Sequence, residues 1–163
     1  MIDLNSRTYL ILFLFFTPLI AFNQVNSTYT LKILGVVQDG GLPHLGSDRI
    51  CCEDFEQDRY VTSIMLINNE TNESYLFDAS PDINKQLNFM GKGIKKNLKG
   101  IFLTHAHIGH YTGLMYFGRE ALNAKLMNVY AMPRMKKFLE QNGPWSQLVS
   151  LQNISITELN NNS

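Results

Sequence analysis

Three of the four histidines in this 163-residue chain stand within six residues, in Thr104-His105-Ala106-His107-Ile108-Gly109-His110. The segment directly follows Gly100-Ile101-Phe102-Leu103-Thr104, a short apolar run that reads as a buried strand. On an extended segment, residues two apart face the same way, so His105 and His107 project together. His110 follows from the turn into the next element, and Gly109 gives the backbone the freedom to make that turn. Neutral imidazole is the commonest side-chain ligand for zinc and iron. Three unrelated histidines would have no reason to share a strand end, so the spacing points to a metal site.

The rest of the chain supplies a layered sheet around that segment. Residues 29–37 (YTLKILGVV) read as a strand, followed by turn chemistry in Gln38-Asp39-Gly40-Gly41-Leu42-Pro43. A polar loop spans 46–59. Residues 60–67 and 75–78 form the next two strands, a hairpin closed by the polar turn 68–74. Ser80-Pro81-Asp82 opens a helix with Ile83, Leu87 and Met90 on one face, and Gly91 is placed to end it. Lys92 to Lys99 is a basic connector. A helix is expected over 113–125, a strand over 129–132, a helix from Pro133 to Glu140, and a last strand over 148–156. Strands alternating with helices predict an α/β (α+β layered) domain over residues 28–159, a mixed sheet with flanking helices, and a disordered tail at 160–163.

Composition narrows the partners. Lys plus Arg and Asp plus Glu number 14 each, so the formal charge is zero. A nucleic-acid binder would show a basic excess, so no nucleic-acid partner is expected. Hydrophobic residues make up 45% of the chain, enough for a packed core. A small molecule and a metal are the expected partners. Residues 9–22 (YLILFLFFTPLIAF) are nearly all apolar, behind a start containing Asp3 and Arg7. The run is shorter than the roughly 20 residues of a spanning helix and carries Pro18. Residues 1–24 are therefore read as a signal peptide, with a membrane anchor as the alternative. The chain is expected to be exported, periplasmic or secreted, and to touch a membrane only through this segment. Adjacent Cys51 and Cys52 rarely bridge each other, so no disulfide framework is expected.

Thr-His-x-His-x-x-His after an apolar strand resembles the metallo-β-lactamase superfamily signature, T-H-x-H-x-D-H. Tyr75-Leu76-Phe77-Asp78-Ala79-Ser80-Pro81-Asp82 resembles that family's segment one strand earlier, whose aspartate lies beside the metals. Residues 35–41 (GVVQDGG), the Cys-Cys pair and His110-Tyr111-Thr112-Gly113-Leu114 resemble the pyrroloquinoline quinone biosynthesis protein B branch. The resemblance runs from about Lys32 to Val149. It implies a metallo-β-lactamase-like αββα half-domain, the N-terminal half of the family fold. It also implies that His105 and His107 bind a first metal and His110 a second. Asp78 would orient a histidine or a metal-bound water. Zinc, as one or two ions, is the implied cofactor, and iron is the alternative. The implied activity is hydrolysis of an ester, amide or phosphodiester in a small molecule.

The chain departs from that pattern in two places. The signature aspartate is Gly109, which removes a carboxylate from the second metal. No histidine follows His110, and the only acids beyond it are Glu120, Glu140 and Glu158. A half-fold leaves one sheet face open, where self-association is expected. Three readings remain at this point. They are a metallo-hydrolase, an iron-dependent oxidising enzyme related to quinone cofactor biosynthesis, and a metal-binding or interaction protein without activity. His44, Cys51 and Cys52 are read as a loop histidine and two cysteines, with a partial metal site as the alternative.

Overall fold

The computed structural model describes residues 27–49 and 59–161. The apolar segment 9–22, the Cys51-Cys52 pair and the end of the polar tail lie outside them. Among the described residues no helix is long and apolar enough to cross a membrane.

Six strands form one mixed sheet in chain order: β1 (Tyr29–Gly35), β2 (Ser63–Asn68), β3 (Ser74–Phe77), β4 (Leu98–Phe102), β5 (Met127–Ala131) and β6 (Ile154–Glu158). The first three run antiparallel as a meander. From β3 to β6 all neighbours are parallel. Parallel neighbours cannot be joined by a tight turn and need a crossover. Between β3 and β4 the crossover is α1 (Ile83–Gln86), a 3-10 segment (Asn88–Gly93) and α2 (Ile94–Asn97). Between β4 and β5 it holds two 3-10 turns, Ile108–His110 and Thr112–Phe117. Between β5 and β6 it is α3 (Pro133–Gln141) and α4 (Trp145–Ser150). This is the α/β layered sheet with flanking helices expected from the sequence.

Strand alternation sorts the side chains into two faces. Met65, Leu76, Ile101 and Val129 sit opposite one another along the register and are fully buried. They share one core with Ile83, Leu114, Phe117 and Leu139 from the crossovers. The neighbouring positions carry Phe77, Phe102 and Tyr130 to the other face, where the rings stack at 5.1 and 4.4 Å between centroids. Gly100 makes room for this: a Cβ there would stand 2.6 Å from a Tyr130 ring carbon. Leu31 and Ile33 of β1 are exposed. They pair with Leu66 and Ile64 and so belong to this same face.

Several elements differ from the sequence reading. The helix expected from Ser80 to Met90 is broken into short pieces. Ser80 Oγ accepts from the Asp82 amide and donates to Gln86 Oε1, but α1 begins only at Ile83. Asp82 accepts from the Val61 amide, which ties this turn to the strand layer. Gly91, at φ 48° and ψ −131°, kinks the segment, and α2 then takes up part of the expected connector. The helix expected over 113–125 is a 3-10 turn ending at Phe117. Gly113 packs so closely on the chain that a Cβ would meet Ser80 O at 2.1 Å, and Asn123 turns back with φ 47°. The strand expected over 148–156 is the end of α4 followed by β6. Gln152, at φ 57°, turns the chain between them while Leu148 is buried in the core.

Candidate metal centre

The carboxyl ends of parallel strands open onto a crevice where α/β proteins place their chemistry. Asp78 follows β3 there, and Thr104 and His105 follow β4. Asp78 has φ 66°, a left-handed conformation uncommon for any residue but more accessible to aspartate and asparagine. Hydrogen bonds hold it. Its amide donates to Phe102 O at 2.8 Å, and its Oδ1 accepts from the Thr104 amide at 2.8 Å.

Asp78 then orients two imidazoles. His110 is buried, and its Nδ1 donates to Asp78 Oδ2 at 2.8 Å. Thr104 Oγ1 lies 2.7 Å from Asp78 Oδ2 and 2.9 Å from Oδ1 and spends its single proton on that carboxylate. It therefore accepts from His105 Nδ1, 2.9 Å away. With both Nδ1 atoms engaged in this way, Nε2 is the nitrogen that each ring turns toward the ligand position.

The three imidazoles converge. Ring centroids of His105 and His110 are 4.0 Å apart, and those of His105 and His107 are 4.5 Å apart. His107 Nδ1 lies 3.0 Å from His105 Nε2, and its side chain is 73% exposed. Asp39, from the turn after β1, reaches in as a fourth group. Its Oδ1 is 2.8 Å from His110 Nε2 and its Oδ2 is 3.3 Å from His107 Nδ1. Asp39, His105 and His110 each offer a ligand atom, all within 4.8 Å of one another. Two imidazole nitrogens and one carboxylate oxygen make a donor set that suits a divalent metal, so the residues fit the group.

Burial acts on His110 first and lowers its pKa. The hydrogen bond and charge of Asp78, then those of Asp39, more than offset this and hold it above the usual imidazole value. In the metal-free chain both ring nitrogens face carboxylates, which favours the imidazolium. A cation at the His110–Asp39 contact would take the place of a proton.

The sequence reading did not name Asp39 as a ligand: it took Gln38-Asp39-Gly40-Gly41 as turn chemistry and, within residues 35–41, as part of the family resemblance. It names His107 among the ligands, whereas the structure sets His107 beside the tight group that contains Asp39. One signal was available. With Gly109 where the signature has an acid, a carboxylate had to come from elsewhere if the site was to keep one. A Cβ on Gly109 would stand 2.8 Å from the Asp39 Cα, so residue 109 has no room for a side chain beside Asp39. His44 is exposed, with Nδ1 3.2 Å from Leu45 O. The cysteines of the alternative site lie outside the described residues.

A mixed sheet with imidazoles and carboxylates gathered at its carboxyl edge defines an α/β protein with a candidate metal centre. The chain belongs to the β-lactamase superfamily: the family model described as a Beta-lactamase superfamily domain matches residues 73–163, more than half of it. Among solved structures, a diphosphatase from the PhnP family is 24% identical at a TM-score of 0.60, over 81% of this chain and 50% of that one. Zinc-bound PqqB from Methylobacterium extorquens is 19% identical at 0.67, over 83% and 50%. The metallo-β-lactamase fold protein YhfI from Bacillus subtilis is 12% identical at 0.54, over 84% and 48%. These likenesses establish the fold, and the chain spans about half the length of the solved structures it matches. A search of curated protein sequences finds no match.

Proposed function

We propose that this chain is an exported metallo-hydrolase of the metallo-β-lactamase fold, or the site-bearing half of one, acting on a small molecule. The observation that carries this is the convergence of Asp39, His105 and His110 on one point. A catalytic zinc takes three protein ligands and keeps one position open, and this set supplies three. His107 is a fourth donor within reach. Export is supported by the apolar run at residues 9–22.

When bound, a divalent metal supplies Lewis acidity toward a carbonyl or phosphoryl oxygen. The protein's own part is positioning. Asp78 fixes the two ring tautomers, directly at His110 and through Thr104 at His105. Asp39 adds negative charge at the point where the rings meet. His107 stands exposed beside these ligands, with Nδ1 3.0 Å from His105 Nε2.

One observation favours a second reading. Two histidines and one carboxylate are also the donor set of non-haem iron oxygenases, so an iron-dependent oxidising enzyme uses the same residues. Loading the metal-free chain separately with zinc and with ferrous iron tests both. Zinc-dependent cleavage of a chromogenic ester or phosphodiester, lost in His105→Ala, supports the hydrolase. Dioxygen uptake with iron and no cleavage with zinc overturns it.

A further inference from the structure

We propose that Arg134 is the anion-binding residue of a substrate pocket that opens beside the metal centre. The substrate is then a small molecule with an oxyanion group on an apolar body. This rests on the reading of the site as a metallo-hydrolase and adds its substrate class. A cavity of about 450 Å³ is lined by Thr104 and His105 together with Leu103, Met132, Phe138 and Arg134. That volume lies within the range of small-molecule sites. The pocket therefore shares His105 with the candidate metal centre.

Its lining is apolar apart from the Thr104–His105 edge and Arg134. The exposed Arg134 side chain makes no ion pair or hydrogen bond among the described residues, so its guanidinium is open to a ligand. It is also placed against the local field. Pro133 opens α3, so Arg134 lies in the first turn of a nine-residue helix with no side-chain cap. The amino end of a helix favours anions and disfavours cations. An anion in the pocket would pair with the Arg134 guanidinium and offset its unfavourable place at the helix start. Guanidinium presents a planar fork that matches carboxylate and phosphoryl oxygens two at a time. The apolar walls would take the rest of the molecule, with the bond to be cleaved toward His105.

Phenylphosphonate, which has an oxyanion and an apolar ring, is the probe. It is titrated by calorimetry into the full chain, metal-free and zinc-loaded, for the wild type, Arg134→Ala and Arg134→Lys. The wild type is expected to bind it, and more tightly than methylphosphonate. Arg134→Ala is expected to weaken binding roughly tenfold or more, with Arg134→Lys in between. Zinc content should be unchanged in both variants. Equal affinity in the wild type and Arg134→Ala, or no binding by the wild type in either form, would overturn the proposal. Failure of the wild type to take up zinc sinks the hydrolase reading alone, because the Arg134 dependence is still read on the metal-free chain.

Discussion

Asp39 and Gly109 compete for one volume: a Cβ built on Gly109 would stand 2.8 Å from the Asp39 Cα and 2.9 Å from its Cβ. The carboxylate that the superfamily signature places next to its last histidine is absent at 109. A carboxylate carried by a turn 71 residues from His110 meets that histidine instead.

This exchange predicts a non-additive pair. Gly109→Asp alone forces two side chains into one space and should destabilise the chain by about 1–3 kcal/mol. Asp39→Gly alone should lose metal with little change in stability. The double variant Asp39→Gly/Gly109→Asp removes the clash with the Asp39 side chain but keeps the 2.8 Å approach to the residue-39 Cα, so it should recover metal and only part of the stability, as coupled neighbours do. Urea unfolding and metal analysis of the four proteins read the cycle. Simple additivity of the two single effects would show that the residues do not share the space.

Asp78→Asn tests orientation without disturbing the backbone, because asparagine also tolerates the positive φ found at this position. The variant keeps the shape but loses the charge that holds His110 and, through Thr104, His105. Metal affinity should fall roughly 10–100-fold. The far-ultraviolet circular dichroism spectrum should not change. An unaltered affinity would mean that Asp78 serves the turn and not the site.

The raised pKa of His110 sets a pH dependence in the metal-free chain. The folded state favours the imidazolium, so this stabilisation is fully present below the ordinary imidazole value and fades as pH rises through the raised one. Asp78 and Asp39 face the ring and are its sources. Unfolding midpoints compared at about pH 6 and about pH 9 should show a larger drop in the wild type than in Asp78→Asn. Parallel curves for the two proteins would remove Asp78 as the cause.

Gly100→Ala separates fold from site. Its methyl would press on the Tyr130 ring on the sheet face opposite the helical core. Overpacking there should cost about 1–3 kcal/mol of stability. Metal content should be unchanged, since the atoms nearest the added methyl belong to Tyr130 and Tyr75 and not to the metal centre. Loss of metal in this variant would tie the aromatic stack to the metal centre.

The strand layer and the histidine segment were legible because they rest on local rules. Period-2 alternation places Leu76 and Ile101 inside. The spacing of His105 and His107 brings their rings to one side of a strand end. Asp39 was not legible, because nothing local in an acidic glycine turn says which distant histidine it will meet. The apolar stretch Leu148-Val149-Ser150-Leu151 suits a buried helix or a strand equally, and the turn at Gln152 decided it. The helix read at 113–125 failed because Gly113 is needed for close packing on the backbone of Ala79 and Ser80, a tertiary demand that helical spacing does not record.

The most direct measurement is calorimetric titration of the metal-free chain with zinc, beside Asp39→Ala and His110→Ala. The account expects about one tight site per wild-type chain and a weakening of at least roughly tenfold in each variant. Less than roughly a tenth of an equivalent bound by the wild type, or full binding by Asp39→Ala, would contradict a metal centre built on these residues.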